Sequence, residues 1–304
     1  MPPAGGAAVM GTGIVSVGLS LDGDAPLSWA LLAVDAALWL GLCAVFARRA
    51  LRQRRRWLED ARSPAALTAV AGTAVLGARI ALTGVGWAAY LLLALAAALW
   101  AWLLRPVLGG WRTPTVGVSF VLTVATESLA VLAALLSLER GVAWLDVASL
   151  VPLGLGLAAY VFVLLRFDLR QLLVGRGDQW VAGGALAIAT LACARVAAAA
   201  ATGPLRGARG VLEDASLALW AAAAAWLPAL LAAELVRPRP GYDTRRWSTV
   251  FPFGMYAVCS FAVGDVTGIG GLTDFARVWI WVAFAVWAVV FAAMLRRGLA
   301  VARG

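Results

Sequence analysis

Apolar residues run along this chain in ten long stretches, each near the ~20 residues that carry a helix across a bilayer. Reading from the start, they cover about 5–21, 28–47, 64–83, 86–104, 117–137, 145–166, 180–200, 213–236, 248–264 and 276–295. The polar breaks between them are short, the longest being Arg48–Ser63, so no soluble domain fits between spans. The pattern predicts one all-α integral membrane domain over 1–304, built of ten spans paired as five helical hairpins.

Polar positions are shared unevenly among the spans. Span 1 carries Thr12, Ser16 and Ser20, span 3 Thr68, Gly72, Arg79 and Thr83, and span 5 Ser119, Thr123 and Glu127. Span 7 carries Gly184, Thr190 and Arg195, and span 9 Thr249, Tyr256 and Ser260. Most of these lie three, four or seven apart and so share a helix face. The even spans are nearly uniform Leu, Ala, Val and Trp, with Asp35 in span 2 as the exception. A polar stripe in hydrocarbon faces either protein or water. Ordinary packing through small residues explains any single stripe. Five stripes on alternate spans predict odd spans inside, around a central pore, with even spans against lipid.

Composition supports the membrane reading. Of 304 residues, 63% are hydrophobic and 13% charged, which excludes a disordered chain, a coiled coil and an ordinary soluble enzyme. All 25 basic residues are Arg. Nineteen of the 25 fall after spans 2, 4, 6, 8 and 10, Arg239 and Arg303 among them, and four fall on the other side. That bias predicts an inner or plasma membrane protein with both termini cytoplasmic. It also accounts for the basic charge without a nucleic-acid partner. The opening MPPAGGAAVMGTG lacks the charged start of a signal peptide. The Arg-rich loop at 48–57 reads first as a topology anchor, and second as a contact for anionic lipid. The Trp residues near span ends, such as Trp29, Trp87 and Trp247, read as interfacial anchors.

The chemistry available is sparse. With no His, and with Cys43, Cys193 and Cys259 isolated in apolar runs, neither a metal site nor a disulfide nor a cofactor is expected. A membrane-embedded enzyme acting on lipid needs clustered carboxylates, His or a metal, and none is legible. The informative charges are Arg79 and Arg195, set against Asp35 and Glu127. A charge at mid-membrane costs at least ~2.5–3.5 kcal/mol. Either the four form two ion pairs, or at least one Arg faces an aqueous path and attracts anions.

Two segments add to this: VMGTGIVSVGL at 9–19 and RWSTVFPFGMYAV at 246–258. With ten spans and cytoplasmic termini, they resemble the tellurite-resistance/dicarboxylate transporter family, which includes the plant slow anion channels. The resemblance implies a quasi-fivefold array of five hairpins, a pore through each subunit lined by odd spans, and a homotrimer. Its permeants are small anions, sulfite, tellurite or C4 dicarboxylates. It also implies a Phe plug midway along span 9, four residues after a Trp, which is Phe251 after Trp247. Periodicity offers Phe253 as the runner-up, because Thr249, Phe253, Tyr256 and Ser260 share a face, but a kink at Pro252 undermines periodicity across it, so Phe251 is preferred. Pro252 lacks a backbone donor and is expected to bend the helix beside either ring. The expected pore lining is Thr12, Ser16, Arg79, Thr123, Glu127, Arg195 and Ser260. Glu127 facing the pore would suit a proton-coupled carrier, and Glu127 paired with an Arg would suit passive conduction.

Overall fold

The structure is a computed structural model that describes the backbone of residues 5–238 and 241–303 and side chains as far as 300. Arg239 lies outside the described residues, as does the side chain of Arg303. Twelve α-helices follow one another in the described residues. Ten are the long ones: α1 (Gly6–Asp22), α2 (Ala25–Arg52), α4 (Thr68–Ala81), α5 (Gly86–Gly109), α6 (Val121–Arg140), α7 (Ala143–Leu164), α9 (Trp180–Ala200), α10 (Arg209–Val236), α11 (Trp247–Thr267) and α12 (Gly270–Arg303). These match spans 1 to 10 in order. The short α3 (Arg54–Asp60) and α8 (Gln171–Val174) lie in Arg-rich connections. Nine of the helices, counting their 3₁₀ first turns, are long and apolar enough to cross a membrane. At 17 residues α1 falls just short of that length, yet it is apolar and buried from Gly6 to Leu19.

Several helices outrun their apolar stretches. The expected 28–47 becomes Ala25–Arg52, and 276–295 becomes Gly270–Arg303. Arg is a good helix former, so the helix continues beyond the hydrocarbon into the charged flank. The tight exits are made by glycines in the left-handed region, among them Gly23 after α1 and Gly268 after α11. At the start of α2, the Asp24 side chain accepts from the Leu27 N–H. At the other end of α2, α3 is held by Trp57, whose ring stacks on Trp102 at 4.8 Å and meets Phe46 edge-on at 5.1 Å.

Burial alternates along the chain. In the spans built on α4, α6, α9 and α11, 78–89% of the apolar window is buried, against 17–28% in α2, α5, α7, α10 and α12. The inner helices touch in a closed cycle, α1 to α4 to α6 to α9 to α11 and back to α1. Each outer helix packs on the inner helix of its own hairpin and on the inner helix that follows in the cycle. Close approach comes from small residues. A Cβ on Gly184 of α9 would stand 2.7 Å from Cγ of Pro252 on α11.

Four seams between an outer helix and the next inner helix share one device. The indole N–H of Trp39 donates to Thr73 Oγ1 at 3.0 Å, and that of Trp100 to Thr126 Oγ1 at 2.9 Å. Trp220 donates to Ser260 Oγ at 2.8 Å, and Trp287 to Thr12 Oγ1 at 3.0 Å, the last closing the cycle from α12 to α1. Thr73, Thr126 and Ser260 each donate in turn to the carbonyl four residues back, so donor and acceptor are both used. At the fifth seam no such bond forms among the described residues; Tyr160 of α7 instead accepts from Trp226 of α10.

Thr126→Val deletes the acceptor and strands a buried indole N–H. The expected cost is about 1–2 kcal/mol in detergent unfolding. In a double-mutant cycle with Trp100→Phe, the two losses should sum to more than the double variant shows.

Candidate functional site

A small cavity lies on the axis of the inner cycle. It takes Ile14 and Val17 from α1, Ala74 and Ala78 from α4, and Ser128 and Val131 from α6. Ile188, Leu191 and Arg195 of α9 and Met255 and Val258 of α11 complete the wall. Its volume is about 30 Å³, room for one or two waters. The lining is apolar apart from the Ser128 hydroxyl and the Arg195 guanidinium. Among the described residues Arg195 forms no hydrogen bond and no ion pair within 4 Å, and it is partly exposed. The acids whose charge reaches it are Asp265 and Glu139, both exposed at the Arg-poor end of the bundle.

Phe251 is fully buried at 1% exposure. It precedes Met255 by four residues and Val258 by seven, so it shares their axial face of α11. It sits one turn closer than Met255 to the Arg-rich end and is not itself among the residues that line the cavity. Phe253 points the other way. Its ring packs against Trp180 at 4.7 Å and stacks on Trp279 of α12 at 5.4 Å, outside the inner cycle. Between them, Pro252 lies in an unbroken helix against Gly184, and the Ser248 carbonyl loses its usual donor four residues on.

Most of the polar residues expected on the axis turn away from it. Thr12 and Ser260 are the acceptors of Trp287 and Trp220 at the seams. Ser16 and Ser28 exchange bonds across α1 and α2: each hydroxyl donates to the other's carbonyl at 2.7 Å. Arg79 joins them. Its Nε donates to both hydroxyls, at 3.1 and 3.0 Å, and its guanidinium lies 5.4 Å from the Trp29 ring centre. Arg79 as a residue is 3% exposed and is built into the α1–α2–α4 junction. Thr123 is buried and does not line the cavity, and its hydroxyl has no partner among the described residues.

Of the two alternatives for these charges, the pair of ion pairs is absent from the described residues. Glu127 packs against Gly156 of α7, and Asp35 against Gly13 of α1, where a Cβ would stand 2.7 Å from Oδ2. Neither carboxyl has a hydrogen-bond partner among the described residues. Distance, not charge, decided this. Each acid faces the glycine of its hairpin partner, while Arg79 is taken by serines and Arg195 looks into the cavity.

Ser128 was missed in the sequence because its neighbour Glu127 drew the attention. Its signal is the step of three to Val131 and seven to Leu135, both on the cavity. Among the described residues, no group of three or more His, Cys, Asp or Glu is placed to hold a metal.

An axial void walled by five inner helices, with Arg195 in its wall, fits the relatives of this sequence. Residues 1–295 match the voltage-dependent anion channel family. The chain belongs to that family. It is also similar to two uncharacterized membrane proteins of Mycobacterium tuberculosis, from strains CDC 1551 / Oshkosh and H37Rv. Each is 36% identical over 121 residues, which is 38% of this chain. The aligned part spans 61% of the length of each relative. Membership of this family, with nine helices among the described residues long and apolar enough to cross a membrane, fits a multi-pass membrane protein.

Removing the two arginines should separate their roles. Arg79→Gln loses charge-assisted bonds in a buried junction and should cost about 1.5–3 kcal/mol of stability. Arg195→Gln, with no partner to lose, should stay within about 0.5 kcal/mol. Thermal unfolding of the purified variants measures both.

Proposed function

We propose that this chain conducts small anions passively along the axis of its inner helices, with Phe251 as the plug. The observation that carries the reading is the axial cavity itself, with Arg195 in its wall and the buried Phe251 one helical turn before Met255, which lines it. A void of one or two waters is too narrow for a hydrated ion, so an apolar constriction of this kind blocks by dewetting until the ring moves. Arg195 supplies a positive potential at the mouth without a tight binding site. Selectivity then follows from that potential and from the ease of shedding water, so weakly hydrated monovalent anions pass best. The Pro252–Gly184 contact gives α11 a turn with one fewer backbone bond beside the plug, where a swing of Phe251 costs least.

The proton-coupled carrier is the weaker reading here. It requires a titrating group on the path, and Glu127 faces Gly156 away from the cavity. Insertion in the inner membrane with cytoplasmic termini, and assembly as a homotrimer, complete the proposal; the first rests on the Arg distribution and the second on family resemblance.

Flux of chloride or nitrate from proteoliposomes tests it. Phe251→Ala should raise the rate about tenfold or more, equivalent to lowering a barrier by at least about 1.4 kcal/mol. Phe253→Ala should not. Arg195→Gln should lower anion over cation preference, and Glu127→Gln should leave the pH dependence unchanged. A rise with Phe253→Ala alone would move the gate and contradict the proposal.

A further inference from the structure

A second cavity opens sideways from the bundle, remote from the axis. It holds about 450 Å³ between α10, α11 and α12 and reaches the first turn of α9. That volume is typical of a small-ligand site. Its floor is the Phe253 ring against Trp180. Its lips are Leu231 and Val289, 37% and 69% exposed. Along α12 it runs from Ala285 to Ala293, about 12 Å at the rise of a helix. Apolar surface dominates, and its outer side faces where lipid lies.

One end is different. Arg246 and Glu234 form an ion pair at 2.7 Å, and the Trp180 indole N–H also points to the Glu234 carboxylate at 3.4 Å. Both side chains keep some exposure, 14% and 27%. They sit at the Arg-rich end, where α10 finishes and α11 begins. The cavity thus has an apolar trough about two turns long and a dipolar head at the membrane border.

We propose that this groove binds a zwitterionic phospholipid of the phosphatidylethanolamine kind. One acyl chain lies in the trough over Phe253, the phosphate faces Arg246, and the primary ammonium faces Glu234. The charge pattern selects the occupant. A cation beside an anion matches a headgroup that carries both signs, and a headgroup with phosphate alone sets its charge against the Glu234 carboxylate.

The groove floor also belongs to the helix that carries the plug. Phe253 is one residue from Pro252 and two from Phe251, so an acyl chain pressing on its ring bears on the turn that has lost a backbone bond. A filled groove holds that turn, and with it the plug, in the closed position. This consequence rests on the proposed role of Phe251; the binding site does not.

Native mass spectrometry of the delipidated protein, with phosphatidylethanolamine or phosphatidylglycerol added back, reads the site without any transport. The wild type should retain phosphatidylethanolamine about tenfold better. Ala285→Trp, on the exposed face of α12, fills the trough and should abolish retention. Glu234→Gln should erase the preference between the two lipids. Equal retention of both lipids by the wild type, or undiminished retention by Ala285→Trp, would overturn the site. So would a spectrum in which Ala285→Trp splits an assembly of copies, since the groove would then be an interface. Anion flux in vesicles with and without phosphatidylethanolamine reads the coupling. Faster flux without it, abolished as a difference in Ala285→Trp, supports the link; equal flux alongside normal retention refutes the link and leaves the site. Absence of flux in every lipid would refute the conduction reading while retention still stood.

Discussion

A hydrogen-bonding group that leaves water for hydrocarbon has to find its partner within the protein. That constraint arranges nearly every polar residue of this bundle. Inner-helix hydroxyls accept an indole N–H from the outer ring at four of five seams, and at three of those they also donate back to their own helix. The outer ring, uniform and lipid-facing, spends its few polar atoms on tryptophan nitrogens aimed inward. Each such bond contributes modestly, about 0.6 kcal/mol on average between membrane helices. Its larger effect is on register, because a helix that slides or turns strands both partners.

The same constraint makes the axis apolar. Thr12, Ser16, Thr73, Thr126 and Ser260 are consumed at seams and junctions, and Arg79 is enclosed by two serines and a tryptophan ring. What remains for the centre is Ser128, Arg195 and a wall of Ile, Val, Leu, Met and Ala. A conduit of that kind binds nothing tightly. On the proposed function it filters by the cost of shedding water and by the potential of Arg195 in its wall. Closure then needs no charged gate, because one aromatic ring on an apolar path is enough to keep water out.

The spans, their order and the alternation of buried with exposed helices were legible in the sequence, because hydropathy and polar spacing report how much of each helix avoids lipid. Direction was not legible. A stripe that avoids lipid satisfies the same rule whether it faces the axis or a neighbouring helix, and periodicity gives the spacing of a face without its bearing. Thr249, Tyr256 and Ser260 show this: they do form one face, and that face is a seam. Phe253 shares it and therefore packs outward, while Phe251 falls with Met255 and Val258. Charge pairing misled for a related reason. Two cations and two carboxyls balance on paper, but Asp35 and Glu127 lie against glycines of their own hairpin partners, and only the packed structure shows which groups are within reach. The interior tryptophans, Trp39, Trp100, Trp220 and Trp287, carried the missing information, since a mid-span indole needs an acceptor and points to one.

Access to the centre of the inner cycle decides the matter most directly. In a chain with Cys43, Cys193 and Cys259 replaced by Ala or Ser, a single cysteine at Val258, above the plug, is treated in sealed vesicles with a membrane-impermeant, negatively charged thiol reagent. Val258 is buried beside a void of one or two waters, so the account predicts no labelling while the Phe251 ring is in place, and labelling from the Arg-rich side once Phe251 is replaced by Ala. A cysteine at Val258 that stays unlabelled from either side in both backgrounds would show a solid core with no path through it.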